Sequence, residues 1–219
     1  MGRWRDRLAR LHSPLYLIAS IPPPGERPVA ELCATALAGG VGLIQCRAKG
    51  VSTREMLPDI ATAIELGRRQ GVPVIVNDRV DVALALGADG VHLGQDDLPV
   101  AAARRLAGDG LLIGATTPTP DLAREAVAAG ADYVAVGPMY RSPLKPEKAP
   151  VGPSRVAEVR AVVEVPVCAI GGLTAGNIAP VAAAGADLFA VVSAIEGADD
   201  PREATRRLVE LLRAVGPSG

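Results

Sequence analysis

Eight short runs rich in Val, Ile and Leu alternate along this chain with eight stretches rich in Ala and Leu. The β-branched runs favour buried parallel strands, and the longer stretches carry apolar residues at helical spacing. A strand followed by a helix, repeated eight times, is the pattern of a (βα)8 or TIM barrel. The predicted strands are 15–19, 42–47, 73–77, 90–93, 111–115, 133–137, 166–170 and 188–192, and the predicted helices are 28–37, 53–70, 81–86, 99–106, 121–129, 154–162, 177–184 and 201–214.

The length of 219 residues suits one such barrel, because closed α/β barrels start at roughly 200 residues. No composition shift or long linker divides the chain, so we expect residues 1–219 to form a single domain. Gly-Ala-Asp recurs at 87–89, 130–132 and 185–187, each time where a helix should end and a strand begin, as expected of a glycine that terminates a helix. An open doubly wound sheet is the alternative fold, but the first strand–helix junction lacks its GxGxxG motif.

Composition and charge exclude several classes of function. Aromatic residues make up 2% of the chain and its net charge is −1, which excludes an aromatic platform or a broad basic surface for nucleic acid. Cys33, Cys46 and Cys168 are too far apart for a zinc motif or a disulfide framework, as expected in a reducing cytoplasm. The uncharged run 165–186 contains several Gly and Pro residues, and the apolar run 15–21 has no cleavage pattern near it. We therefore expect a cytoplasmic protein without membrane partners, and the sequence leaves a homo-oligomer open.

Polar residues follow the second, third and fourth predicted strands, where a (βα)8 barrel keeps its catalytic groups. Alternation along the second strand puts Gln45, Arg47 and Lys49 on one face. Asp78 and Asp97 follow the next two strands, and a carboxylate at each of two neighbouring strand ends is a suitable pair of Mg²⁺ ligands. Each aspartate could instead cap the helix that follows it.

Two other residues near these strands are expected to have structural rather than catalytic roles. His92 lies among glycines and aliphatic residues, so we expect a hydrogen-bonded interior residue rather than a base. Cys46 alternates with the polar residues of the second strand, so we expect it to pack against helices as a small apolar residue.

The segments after the last three strands offer sites for anions. The loop 137–152 is longer than usual and rich in proline, which favours a lid over a disordered surface loop. It supplies Ser142, Lys145 and Arg141 as anion donors. The glycine pair that ends at Gly172, next to Ser193 after the eighth strand, is typical of a phosphate cradle. Two anionic substrates, one of them a metal-bound pyrophosphate, would fit these residues.

A series of strand-end motifs closely resembles the thiamine phosphate synthase family, over residues 14–212. The motifs are Gln-Cys-Arg-Ala-Lys at 45–49, Asn-Asp-Arg at 77–79, Gly-Val-His-Leu-Gly-Gln-Asp-Asp at 90–97, Gly-Pro-Met-Tyr at 137–140, Ala-Ile-Gly-Gly at 169–172 and Val-Val-Ser-Ala-Ile at 191–195. The resemblance implies a Mg²⁺-dependent transferase. Such an enzyme joins two small molecules, hydroxymethylpyrimidine pyrophosphate and a thiazole phosphate, to give thiamine phosphate and pyrophosphate.

The resemblance also implies a role for each matching residue. Departure of pyrophosphate leaves a pyrimidinylmethyl cation that the thiazole nitrogen attacks, so catalysis is mainly charge stabilisation. The implied metal ligands are Asp78 and Asp97; the implied catalytic residues are Arg47, Lys49, Lys145 and Thr116; and the implied substrate-binding residues are Gln45, Asn77, Ser142, Gly172, Val192 and Ser193.

This chain departs from the family pattern at three positions. Thr116 stands where the family usually has Ser, and Ser142 stands where the family's lid has Thr, so both keep a hydroxyl. Leu144 removes a hydroxyl from the lid. A related thiazole tautomerase keeps a His after the fifth strand, where this chain has Thr116 and Thr117. The tautomerase and a non-catalytic phosphate-binding barrel are therefore the alternatives. The intact Asp78 and Asp97 favour the synthase.

Overall fold

Eight parallel strands close into a barrel in the computed structural model, which describes residues 3–141 and 149–215. Each strand pairs with the next in chain order, and β8 closes the barrel by pairing with β1. This confirms the predicted (βα)8 architecture and rules out the open sheet. The strands are β1 Leu15–Ile21, β2 Leu43–Ala48, β3 Val74–Asn77, β4 Gly90–Leu93, β5 Leu112–Thr116, β6 Tyr133–Val136, β7 Val167–Ile170 and β8 Leu188–Val191.

The helices surround the barrel, and the eight predicted ones are all present. They are α2 Val29–Gly39, α3 Thr53–Gln70, α4 Val80–Leu86, α5 Val100–Ala107, α6 Pro120–Ala128, α7 Ser154–Arg160, α8 Ile178–Ala183 and α10 Pro201–Val215; two more, α1 Arg3–Ala9 and α9 Ser193–Glu196, were not predicted. In α1, Trp4 and Leu8 are one turn apart and almost fully buried against the barrel interior. The arginine-rich start of the chain is thus part of the fold. No helix among the described residues is long and apolar enough to cross a membrane.

The Gly-Ala-Asp triplets join neighbouring strands as well as ending helices. Their glycines have positive φ angles, as predicted for helix ends. Each aspartate then accepts a backbone N–H from the preceding strand: Asp89 from Val74 at 2.9 Å, and Asp187 from Val167 at 2.8 Å. Asp132 does the same for Ile113 in β5 at 2.8 Å. The triplets therefore fix the end of the barrel opposite the strand carboxyl ends.

Side chains inside the barrel form a core separate from the one between strands and helices. Tyr16 and Tyr133 are the largest strand side chains in this interior core, and both are almost fully buried. Tyr133 fits because β5 has glycine at 114: a Cβ there would lie 2.1 Å from the Tyr133 ring. The absence of a side chain at Gly114 thus creates the space for a polar aromatic residue below the barrel mouth.

Candidate active site

Two carboxylates meet at the carboxyl ends of β3 and β4. Asp78 follows β3 with a φ of 64°, an uncommon conformation for any residue except Gly, Asn or Asp. Its N–H donates to the His92 carbonyl at 2.8 Å, which fixes the backbone in that conformation. Asp97 accepts the Gly94 N–H at 2.7 Å and thereby closes the turn after β4. The side chains of Asp78 and Asp97 hydrogen-bond to each other.

Neither aspartate caps a helix. Helix α4 begins after Arg79 and α5 after Pro99, and neither start has a side-chain cap. The helix-cap interpretation is therefore wrong for both carboxylates, because their oxygens face each other and the turn after β4.

The proton balance of this pair favours a bound cation. Burial and the hydrogen bond to Asp97 raise the pKa of Asp78, although Lys49 opposes the shift. Burial also acts to raise the pKa of Asp97, but the hydrogen bonds from Asp78 and Gly94 outweigh it and lower that pKa. Each carboxyl group adds negative charge beside the other, so the two do not ionise independently. A cation between the oxygens would stabilise both as carboxylates.

The two carboxylates fit Mg²⁺ better than a metal held entirely by protein. No cluster of three or more His, Cys, Asp or Glu able to hold a metal occurs among residues 3–141 and 149–215. Mg²⁺ usually takes one or two carboxylates and fills its remaining positions with water and substrate phosphate oxygens. Asp78 and Asp97 supply that donor set.

Cations flank the carboxylates at the end of β2. Lys49 forms an ion pair with Asp78, and its own side chain remains 53% exposed. Burial raises the pKa of Glu196, although its hydrogen bonds from Ser20 and the positive charge of the partly buried Arg47 act in the opposite direction. Glu196 accepts the Ser20 N–H at 2.5 Å and the Ser20 hydroxyl at 3.1 Å. Cys46, between these residues, is fully buried in the strand–helix core as predicted.

A chain of polar side chains crosses the barrel interior below these charges. The Gln45 amide N–H donates to the Tyr16 hydroxyl. The Tyr16 and Tyr133 hydroxyls are 3.1 Å apart, and the Tyr133 hydroxyl lies 2.8 Å from His92 Nδ1. His92 Nε2 lies 2.9 Å from the Thr116 hydroxyl. This confirms that His92 is a hydrogen-bonded interior residue.

The glycine loop after β7 has a conformation that only glycine adopts easily. Gly171 and Gly172 have φ angles of 97° and 67°, and a Cβ on Gly172 would lie 2.7 Å from the Arg141 carbonyl oxygen. Asn177 holds the loop: its Nδ2 donates to the Gly172 carbonyl, and its Oδ1 accepts the Thr174 N–H, both at 2.8 Å.

The end of β8 lies beside this loop, since Ile170 pairs with Ala190 in the barrel. Val192 follows β8 and is partly buried, and Ser193 begins α9 and is exposed. Asn77, at the end of β3, pairs with His92 and is partly exposed. The described residues from the sequence analysis therefore gather at one end of the barrel.

Part of the predicted site lies outside the described residues. Ser142, Leu144 and Lys145 fall there, within residues 142–148 of the expected lid. Arg141, directly before that segment, is exposed.

Sequence reasoning missed four residues that support the site: Tyr16, Tyr133, Glu196 and Asn177. The two tyrosines carried a signal, because a tyrosine in a buried strand needs a partner for its hydroxyl. Glu196 and Asn177 carried none, since their partners Ser20 and Gly172 are distant in sequence or held by loop geometry.

Known proteins are similar to this chain over most of its length. A family model described as thiamine monophosphate synthase matches residues 15–195. A thiamine-phosphate synthase from Natronomonas pharaonis is 45% identical over 208 residues, covering 93% of this chain and 97% of that protein. Another from Chloroflexus aurantiacus is 46% identical over 199 residues, covering 90% and 92%. The solved thiamine phosphate pyrophosphorylase from Pyrococcus furiosus has a TM-score of 0.86 and 36% identity, covering 97% of this chain and 99% of that one. This chain therefore belongs to the thiamine monophosphate synthase family.

Proposed function

We propose that this chain joins hydroxymethylpyrimidine pyrophosphate to thiazole phosphate and releases thiamine phosphate and pyrophosphate. The observation that carries the proposal is the Asp78–Asp97 pair beside Lys49, at the same barrel end as the glycine loop of Gly172. A metal-dependent pyrophosphate site and a separate phosphate site suit two phosphorylated substrates. The family membership supports the same reaction.

In this proposal Asp78 and Asp97 hold Mg²⁺. The bound ion supplies positive charge that stabilises the departing pyrophosphate. The donor chemistry of the paired carboxylates supports this choice, because two protein oxygens leave coordination positions for phosphate oxygens.

The cations of β2 act on the leaving group. The bond between the pyrimidinylmethyl carbon and the pyrophosphate oxygen breaks, and its electron pair leaves with pyrophosphate. Arg47 and Lys49 stabilise the negative charge that accumulates there, and we assign Lys145 the same task. The thiazole nitrogen then uses its lone pair to form the carbon–nitrogen bond. That step needs no general base.

The uncharged residues of the site bind the pyrimidine and the phosphate of the thiazole substrate. We assign Gln45, Asn77 and Thr116 to the pyrimidine, because Gln45 and Thr116 end the polar chain inside the barrel. A further group binds the thiazole phosphate: Ser142, Gly172, Val192 and Ser193. The positive φ of Gly172 supports a backbone-lined phosphate cradle at that loop.

We propose that residues 1–219 work as one barrel domain in the cytoplasm, on small-molecule substrates and without a nucleic-acid partner. The net charge of −1 supports the last point. A homo-oligomer is compatible with this function, since each barrel carries its own carboxylate pair.

The test is to incubate the purified protein with both substrates and Mg²⁺ and to detect thiamine phosphate by thiochrome fluorescence. We expect product only when both substrates are present. Absence of product would overturn the proposal, and incubating the thiazole alone would then test for a tautomerase.

A further inference from the structure

The hydrogen-bonded chain inside the barrel links two residues on strands that are not neighbours. It begins at Gln45 on β2 and ends at Thr116 on β5, by way of Tyr16, Tyr133 and His92. Exposure is 8% for His92 and 2% or less for Gln45, Tyr16 and Tyr133. Such a chain is well shielded from competing water, so its members depend on one another for their hydrogen bonds.

The direction of this chain follows from its first bond. The Gln45 amide nitrogen donates to Tyr16 and cannot accept. The direction that gives each buried hydroxyl hydrogen a partner within the chain has Tyr16 donating to Tyr133 and Tyr133 donating to His92 Nδ1. A neutral imidazole that accepts at Nδ1 carries its hydrogen on Nε2. His92 Nε2–H therefore donates to Thr116 Oγ1.

The two ends of the hydrogen-bonded chain consequently offer opposite hydrogen-bonding groups, an acceptor at Gln45 and a donor at Thr116. Because the Gln45 nitrogen is engaged below, its amide oxygen is left to accept a hydrogen bond. Because Thr116 Oγ1 already accepts from His92, its hydroxyl hydrogen is left to donate. Exchange of these roles would require the whole chain to reverse.

We propose that Tyr16, Tyr133 and His92 are positioning residues that fix this direction, so that Gln45 accepts from the amino group of an aminopyrimidine while Thr116 donates to its ring nitrogen. The inference rests on the proposed function, since that function brings an aminopyrimidine to the site. An aminopyrimidine presents an amino donor and ring-nitrogen acceptors, and this chemistry matches an acceptor at Gln45 and a donor at Thr116.

Two features keep the direction in place. Burial raises the pKa of both Tyr16 and Tyr133, so each hydroxyl keeps its proton. The glycine at 114 leaves the space that the Tyr133 ring fills, so the ring cannot shift away from β5 without opening a cavity. Gln95 supports the Thr116 end, since its Nε2 donates to the Thr116 carbonyl at 2.5 Å.

The direct test is the tautomer of His92, measured by ¹⁵N NMR on the protein without substrates. The protein has two histidines, His12 and His92, so the spectrum is simple to assign. We expect His92 to carry its hydrogen on Nε2. A hydrogen on Nδ1 would mean that the chain runs the other way and would overturn the inference.

Tyr133→Phe tests the consequence for binding. It removes the donor to His92 Nδ1, so we expect a mixture of tautomers and a KM for the pyrimidine pyrophosphate raised about fivefold to tenfold, the effect of one hydrogen bond. The KM for thiazole phosphate should not change. Equal changes in both constants, or a loss of stability alone, would reduce Tyr133 to a packing role and overturn the inference.

Two further variants complete the test. Tyr16→Phe removes the link between Gln45 and Tyr133, so we expect it to give a mixture of His92 tautomers as Tyr133→Phe does. Thr205→Val removes a buried hydroxyl on α10, which donates to the Pro201 carbonyl at 2.7 Å, and should leave tautomer and kinetics unchanged. If the wild type makes no thiamine phosphate, the proposed function fails, whereas the tautomer still shows whether the chain has the inferred direction.

Discussion

Lys49 forms an ion pair with Asp78 across the carboxyl ends of β2 and β3. The cation that we assign to the leaving pyrophosphate is thus held by a carboxylate that we assign to the metal. If Asp78 and Asp97 held Mg²⁺, the ion would neutralise their charge, and the Lys49 ammonium would be available to the pyrophosphate. Metal and substrate binding should therefore reinforce each other.

Asp97→Asn should lower kcat/KM by roughly 100-fold, the scale expected for one preorganised charge contact. The amide oxygen can still accept the Gly94 N–H, so the turn after β4 and the melting temperature should be preserved. The control is Asp96→Asn at the exposed neighbouring carboxylate. Rates are measured over a Mg²⁺ titration. Equal rates for the two variants would remove Asp97 from the metal site.

Arg47→Ala and Ser193→Ala should affect different kinetic constants. Negative charge on the leaving pyrophosphate grows toward the transition state, so Arg47→Ala should mainly lower kcat. Ser193→Ala should mainly raise the KM for thiazole phosphate, because it removes a ground-state contact. Steady-state kinetics with each substrate varied in turn check both. If the two effects were exchanged, the assignments of the anion sites would be reversed.

Gly172→Ala should raise the KM for thiazole phosphate and destabilise the protein by about 1–3 kcal/mol. The new Cβ would lie 2.7 Å from the Arg141 carbonyl oxygen, at a φ of 67°. Gly176→Ala is the matched control in the same loop, since its Cβ would meet nothing closer than 3.8 Å. Urea denaturation and steady-state kinetics measure the two effects. If the two variants had the same KM for thiazole phosphate and the same stability, the phosphate cradle would not depend on the backbone conformation at Gly172.

The free energy of unfolding of the Glu196→Gln variant, relative to that of the wild type, should increase as pH rises. Burial raises the pKa of Glu196, so the folded state binds this proton more tightly than the unfolded state does. Wild-type stability therefore falls as pH rises from the unfolded pKa through the folded one, and the amide does not titrate. Urea denaturation at pH 4 and pH 7.5 measures the free energy of unfolding of the Glu196→Gln variant and of the wild type. A stability difference that does not change with pH would refute the raised pKa.

The sequence predicts most of the fold and the charged part of the site, because both follow from local pattern. Alternation on β2 puts Gln45, Arg47 and Lys49 on one face, and parallel strands bring Asp78 and Asp97 to one end. The polar chain could not be predicted in the same way. Tyr16 and Tyr133 lie on β1 and β6, and their hydroxyls meet only when the barrel closes.

Other differences likewise arise from tertiary contacts that no local sequence pattern shows. Helix α1 was not predicted because a short arginine-rich segment has too little apolar surface to indicate a helix by pattern alone; Trp4 and Leu8 become buried only against a completed barrel. The aspartates of the Gly-Ala-Asp triplets looked like turn residues, and their bonds to the preceding strand depend on strand register.

The most direct test of the account is the Mg²⁺ dependence of thiamine phosphate formation by the wild-type protein. The rate is measured with both substrates in excess chelator and again after Mg²⁺ is restored. We predict that product formation falls to background in chelator and returns fully with Mg²⁺, because Asp78 and Asp97 otherwise set negative charge against a pyrophosphate. Full activity in excess chelator would contradict the assignment of the carboxylate pair to a metal-bound pyrophosphate.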